Sequence, residues 1–555
     1  MSYRGRPSRG CKRCVSKKVK CDQTHPACQR CLKSGQACEY KDEFELIHRN
    51  QTKTAEKTAK DKWRQRATKE QSSHSPSSTS SSSPEQIASP IREDGLTSSL
   101  ATSVQLRPAL QQMAYLRFFY DFISAQDYYN VGSTADPIPE MFKKASPNSY
   151  FHSAVSAVSL ANFGSRFKHE EARQKGQVYY GKALGQFTKA MTGPEEEMDT
   201  NEALLGVFLL GIYETLTSTT FDGSYKTHQM GAASILRSRY RNGMLRDALQ
   251  NRYLAVIYIQ VMLHCLTDGV APPPFDSKWK IWTTDNPRHQ LMGLMHRAAI
   301  MRYKFRRLSE NTGSAAWPFK APELVADDLN PDKVLEQALE LDSRLEEWWQ
   351  GQQAHFNYQA SVEVNPQNRP SWARELFSLP GAPSHMSVFN TALGALGADL
   401  YRGTRLYLNL SILRCARQAA VRSPGTDKMS IYHESIVTAT ASLIIELIDG
   451  ICMTIPTLLQ MTPTGGADDP TTPDEIYGFR ALMIFWPLIA SSCCLKEEEV
   501  MQFDVNLRRM WIPCVYAFLR NNLGLAKAQA FLSDTSSFLP VSFDESLFSN
   551  EMMFD

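Results

Sequence analysis

The chain has 555 residues, 42% of them hydrophobic and 21% charged, a composition that supports a sizeable core and excludes wholesale disorder. Its formal net charge of +3 hides a division: residues 1–70 carry 19 Lys and Arg against 8 Asp and Glu, while the remainder carries 42 against 50. A basic head on a mildly acidic body suits a polyanionic partner at the head.

No apolar run occupies the first 30 residues, so no secretory leader is expected. The longest apolar stretches, near 203–213, 253–266 and 481–495, fall short of the roughly 18–20 residues of a membrane span. They read as core helices of a soluble protein, with no membrane partner.

In chain order, residues 1–10 form a basic arm and residues 11–38 a cysteine-dense unit. Cys11, Cys14, Cys21, Cys28, Cys31 and Cys38 spell C-x2-C-x6-C twice, offset by 17 residues, which is an internal duplication. A cysteine pair at i, i+3 lies on one face of a helical turn, where two sulfurs can grip one metal. Two independent tetrahedral zinc sites would need eight ligand positions. Six thiolates suffice if each half supplies one bridge, most simply the first cysteine of each repeat, Cys11 and Cys28. So short a unit cannot build a stabilising core alone. Metal must supply its folding energy, on the order of 10 kcal/mol per structural zinc. Thiolates select Zn(II) or Cu(I), and the regular spacing favours two Zn(II) per chain over a copper–thiolate store. The other cysteines, Cys265, Cys415, Cys452, Cys493, Cys494 and Cys514, follow no ligand spacing and read as buried reduced thiols.

The two halves differ in charge. Between its second and third cysteines the first half carries Lys17, Lys18 and Lys20, whereas the second carries Lys33 alone. The first half is therefore the expected DNA face, with its lysines on a short helix fixed by Cys14 and Cys21.

Residues 9–40, RGCKRCVSKKVKCDQTHPACQRCLKSGQACEY, closely resemble the fungal-type binuclear zinc cluster family of transcription factors. The six cysteines, the K-K-x-K run and Pro26 two residues before Cys28 carry the resemblance. It implies that one zinc takes Cys11, Cys14, Cys21 and Cys28, and the other Cys11, Cys28, Cys31 and Cys38. It also implies a first helix in the major groove of a CCG triplet, with Lys18 on the guanines and the backbone near Lys17 assisting. A lysine donor suits the guanine O6 and N7 acceptors. Lys20 is expected on phosphate. Val15 stands where the family often has Arg, so one phosphate contact is either absent or replaced by Arg13 or Arg9. The implied protein is a nuclear, zinc-dependent regulator of RNA polymerase II genes bound to double-stranded DNA; it is the acidic tail at 531–555 that favours an activator over a repressor.

Residues 39–70 are a basic connector. Ala55, Ala59, Trp63 and Ala67 recur every four residues without a sustained leucine heptad, which leaves dimerisation and half-site spacing undetermined by the sequence. Residues 71–104 are Ser-rich, with Ser-Pro steps at Ser75, Ser83 and Ser89, and read as a disordered linker.

Residues 105–530 read as a large all-α regulatory domain, giving a mainly α chain overall. Val334, Ala338, Leu341, Leu345 and Trp348 mark one helix face, and Asn330-Pro331 supplies its N-cap and first-turn proline. Ile436, Ala439, Leu443 and Leu447 mark another. Phe356, Tyr358, Ala360, Val362 and Val364 alternate as a single strand that is not expected to make a sheet. Loops are expected at 271–276 and 462–474. The segment Ser224–Leu236 resembles the family's H-x-x-G-A-x-x-I/L-L helix, where His228 reads as a structural histidine in preference to a ligand contact. A small-molecule effector is a candidate partner of this domain.

Residues 531–555 change character, with five Phe (Phe531, Phe538, Phe543, Phe548, Phe554), five acidic residues and no Lys or Arg. Such an acidic-hydrophobic tail is expected to act as an activation segment that binds a coactivator. The alternative is that its Phe residues dock on the helical body.

Catalysis is not expected. Gly176–Ala183 mimics a phosphate-binding loop but has Ala183 where Mg²⁺ needs a hydroxyl, and no H-E-x-x-H, G-x-S-x-G or G-x-G-x-x-G occurs. Two other readings stay open. One is a ligand-sensing or scaffold protein whose helical body dominates. The other is a metal-thiolate buffering protein with variable stoichiometry.

Overall fold

A computed structural model describes residues 11–17, 19–22, 24, 28–35, 38, 109–123, 137–191, 200–220, 224–241, 252–273, 286–309, 329–422 and 428–535. The chain divides into two units, Met1–Ser103 and Val104–Asp555. The arm at 1–10, the connector, the linker and residues 536–555 of the tail lie outside the described residues.

In the first unit, α1 (Lys12–Ser16) and α2 (Gln29–Lys33) carry the cysteines. Their buried core is the sulfurs themselves, Cys11, Cys14, Cys28 and Cys31, with Val19, Cys21 and Cys38 against it.

The second unit is helical. Its first half holds α3 (Leu110–Phe122), α4 (Pro137–Lys144), α5 (Tyr150–Arg166), α6 (Glu170–Met191), α7 (Asn201–Thr217), α8 (Ser224–Arg241), α9 (Arg252–Asp268) and α10 (Pro287–Ser309). Then come α11 (Pro331–Gln352), β1 (Tyr358–Glu363), α12 (Ser371–Phe377), β2 (His385–Phe389), α13 (Ala392–Arg422) and α14 (Lys428–Leu458). The last elements are α15 (Gly478–Cys494), α16 (Glu498–Met501), α17 (Asn506–Asn521) and α18 (Ala528–Thr535).

Small residues set the crossing of α5 and α6. The inner face of α5 is Ala154, Ala157, Ala161 and serines, all buried, which lets α6 approach. At Gly176 of α6 an added Cβ would lie 3.2 Å from the Ala161 nitrogen and 3.3 Å from the Ala157 oxygen. Gly176, the first residue of the apparent phosphate-binding loop, is therefore a helix–helix contact, and the residues after it continue the helix.

The α11 helix forms as the sequence prescribes. Asn330 Oδ1 accepts from the Asp332 and Lys333 N–H groups at 3.0 and 3.2 Å, and Pro331 opens the first turn. Val334, Ala338, Leu341 and Leu345 are buried, while Trp349 and not Trp348 is the more buried indole. Asp342 on this helix takes a bidentate bond from Arg405 of α13 at 2.8 and 2.6 Å, tying the pair together.

Three expectations are corrected. The lone strand does pair: β1 and β2 form an antiparallel two-stranded sheet, with Val362 opposite Met386 and Ser361 opposite Ser387. The partner, His385–Phe389, is buried from Met386 onward and packs against α14, and its four alternating residues His-Met-Ser-Val are too short a run to mark a strand in the sequence. On α14 the core face is offset from the one read in the sequence. Ile436 and Leu447 of that face are buried, together with Thr440, Ile444, Ile448, Ile451 and Ile455, whereas Ala439 is exposed and Leu443 half-buried. A helix apolar on most sides carries several overlapping 3–4 series, and neighbours choose among them. This same helix is long and apolar enough to cross a membrane by length and composition, although it escaped the list of longest apolar runs. It packs against α13, α15 and β2.

The 462–474 loop is present and anchored. Arg369 meets Asp469 at 2.8 Å with both side chains buried, and Trp372 Nε1 donates to the Pro470 carbonyl at 2.8 Å. Beyond it, buried Asp121 of α3 accepts from Arg117, Asn162 and the Gly478 N–H. Arg166 reaches the Pro473 and Ile476 carbonyls at 2.8 and 2.6 Å. The first helix of the unit is thus fixed to its C-terminal third. Of the expected 271–276 loop, residues 271–273 are non-helical and buried, and the rest lies outside the described residues.

Candidate metal centre and nucleic-acid interface

The sequence duplication reappears as duplicated geometry. Cys11 precedes α1 and Cys28 is the N-cap of α2. The Cys14 N–H donates to Cys11 Sγ and the Cys31 N–H to Cys28 Sγ, each at 3.4 Å. A backbone donor favours the thiolate, and these bonds are the main cause holding the Cys11 and Cys28 thiols below their ordinary value. Cys14 is raised, first by its bond with Cys11, and Cys31 is pushed up to about 12, first by burial.

The sulfurs converge. Cys11 Sγ lies 3.9 Å from Cys28 Sγ and 3.8 Å from Cys31 Sγ, and Cys14 Sγ lies 3.9 Å from Cys28 Sγ. Four thiolates at a Zn–S distance of about 2.3 Å on a tetrahedron stand about 3.8 Å apart. A disulfide would bring them to about 2.05 Å, and all six cysteines are free. The cysteines make two sets, Cys11, Cys14, Cys21, Cys28 and Cys11, Cys28, Cys31, Cys38, each with its sulfurs within 4.8 Å of one another. Cys11 and Cys28 belong to both. The donor set therefore fits two thiophilic ions sharing two ligands.

Side chains outside the metal shell brace the halves. Asp22 Oδ2 accepts from the Gln29 N–H at 3.0 Å and from the Thr24 hydroxyl, and the latter bond is the main cause keeping the Asp22 carboxyl below its ordinary value. Arg13 Nη1 donates to Ser34 Oγ at 3.1 Å. Neither Asp22 nor Ser34 was singled out in the sequence, because nothing in spacing or charge marks an uncomplexed polar brace.

Lys17 and Lys20 do not lie within the helix as expected. The α1 helix ends at Ser16, and the Val19 N–H reaches back to the Cys14 carbonyl at 2.9 Å to close it. Closure here lets the chain turn Cys21 back to the sulfur cluster. Lys17 sits on the closing turn and Lys20 beyond it, both exposed, as are Arg30 and Lys33 of the second half. Lys18 and Arg9 lie outside the described residues.

In the helical unit, His228 is buried, and its Nε2 bonds Tyr180 Oη at 2.9 Å, where Tyr180 also donates to Glu214. This is the satisfied structural histidine that the sequence suggested. Cys265, Cys452, Cys494 and Cys514 are buried thiols, while Cys415 and Cys493 are half-buried. Phe531, expected in the free tail, stacks on Tyr516 at 5.3 Å and meets Phe485 edge-on.

Two family models match the chain. The fungal Zn(2)-Cys(6) binuclear cluster domain covers residues 9–45, and the fungal specific transcription factor domain covers residues 114–462, more than half of the chain. No curated protein and no solved structure gives a significant match.

Proposed function

Because the chain belongs to the family of fungal specific transcription factors, with a DNA-binding cluster that takes two zinc ions, we propose that it is a nuclear activator reading CCG triplets. Both families are transcription factor domains, in keeping with a regulator and not an enzyme. The observation that carries the reading is the asymmetry of the module: two equivalent sulfur-anchored helices, of which the first runs into the basic stretch Lys17–Lys20.

In this reading Cys11 and Cys28 each serve both ions, Cys14 and Cys21 complete one tetrad, and Cys31 and Cys38 the other. The zinc ions supply the folding energy and rigidity of the module. Lys18 donates to guanine O6 and N7, where a base edge discriminates sequence. Lys20 and Arg9 meet phosphates, which position without specifying. The helical unit is the regulatory body, a seat for a small-molecule effector, and the acidic tail beyond Thr535 recruits a coactivator.

The reading is tested by selecting from randomised duplexes with the zinc-loaded full chain. Enrichment of CCG triplets is expected. Uniform retention of all sequences, lost only with rising salt, would leave a nonspecific polyanion binder instead.

A further inference from the structure

Arg13 occupies a position where the sequence suggests a phosphate contact, yet its guanidinium turns toward the other half of the module. Nη1 donates to Ser34 Oγ at 3.1 Å, 21 residues along the chain. Ser34 is the C-cap of α2. Its N–H bonds the Arg30 and Cys31 carbonyls, each at 3.2 Å, and its Oγ donates to the Cys31 carbonyl at 3.1 Å. The hydroxyl that Arg13 binds is therefore itself held in place by the end of α2.

The bond is one-sided. With the duplication offset of 17 residues, the counterpart of Arg13 is Arg30 and the counterpart of Ser34 is Lys17. A lysine offers no acceptor, so the reciprocal bond cannot form. The first half thus grips α2 at both ends: Asp22 takes the Gln29 N–H at its start, and Arg13 takes Ser34 at its finish. Cys11 and Cys28 pin the N-terminal ends of both helices. Cys14 and Cys31 sit at the middle of each helix, so no sulfur lies on the last two residues of either, and the exposed Lys17 follows the C-terminal end of α1.

We propose that Arg13 is a positioning residue for DNA recognition: its bond to Ser34 sets the angle of α1, and with it the basic run Lys17–Lys20, against α2. One of the five guanidinium N–H donors is committed to this brace, and the role assigned to Arg13 is positioning and not phosphate contact. The inference rests on the reading of the first half as the DNA face.

The test uses the full chain, with two zinc ions per molecule verified by native mass spectrometry for each variant. The wild type first selects its preferred site from random duplexes, so failure of the CCG reading appears separately, as a different selected site. Affinities for the selected and a scrambled duplex are then measured over a salt series for Arg13→Ala, Ser34→Ala, the double variant and Ser34→Thr. Each alanine variant is expected to lower discrimination by about threefold to tenfold, the double variant by no more than either single one. Ser34→Thr, which keeps the hydroxyl, restores discrimination, and the salt slope stays that of the wild type. If Arg13→Ala flattens the slope by about one unit while Ser34→Ala is inert, Arg13 is a phosphate contact and the proposal falls. Unchanged discrimination at full zinc loading, or equal loss on both duplexes, overturns it as well.

Discussion

At the scale of single residues, the module depends on two sulfurs that do double duty. Cys11 and Cys28 belong to both tetrads, and each accepts a backbone N–H that favours its thiolate. Cys28→Ser is therefore expected to empty both sites together, whereas Cys38→Ser disturbs one tetrad directly. Zinc counted by native mass spectrometry distinguishes them. A wild-type count of one zinc would contradict the shared cluster. On the DNA side, Lys18→Ala is expected to lower discrimination between CCG and scrambled duplexes by about 1–3 kcal/mol. Lys20→Ala should weaken all sequences alike and flatten the salt dependence. Equal losses on both duplexes in titrations of Lys18→Ala would make Lys18 a phosphate contact.

At the scale of elements, what could be read locally formed as read. Asn330 caps α11, and Asn330→Ala should cost about 1 kcal/mol in denaturant unfolding, with Asn330→Gly costing less. The contact of α9 with α10 carries a pH-sensitive pair. Tyr258 Oη lies 2.6 Å from His296 Nδ1, and burial first, then the Arg297 charge, holds His296 down to about 4. In the unfolded chain this imidazole titrates near 6.5, so the unfolded state takes up the proton first as pH falls. Stability from neutral His296 is therefore complete above about pH 6.5 and is lost progressively toward pH 4. His296→Gln should remove this part of the acid sensitivity. Unfolding curves for variant and wild type that stay parallel between those pH values would contradict it.

At the scale of the whole molecule, the last helix decides where the body ends. Phe531 is buried between Phe485 and Tyr516, so α18 belongs to the helical unit. Phe531→Ala should destabilise that unit by about 3–5 kcal/mol. The proposed activation segment then begins after Thr535. Residues 536–555 fused to an unrelated DNA-binding domain are expected to drive a reporter, and replacement of Phe538, Phe543, Phe548 and Phe554 by Ala should abolish the signal. An inert fusion, with loss of stability when 536–555 is deleted from the full chain, would make the tail a packing element.

The sequence by itself determined the metal module, because six cysteines in a duplicated spacing admit few arrangements and the chemistry of thiolates admits few ions. It determined the helical class of the body and the start of α11, because caps and amphipathic faces are local signals. Tertiary structure decided what depends on neighbours. It chose which of several apolar stripes on α14 turned inward, paired β1 with a mostly buried strand whose alternation is too short to signal it, and made a helix crossing at Gly176 out of an apparent phosphate loop. It also enclosed Phe531 and turned Arg13 toward Ser34. In each case the residues permit more than one use, and the free energy that selects among them is burial and hydrogen bonding against partners tens to hundreds of positions away.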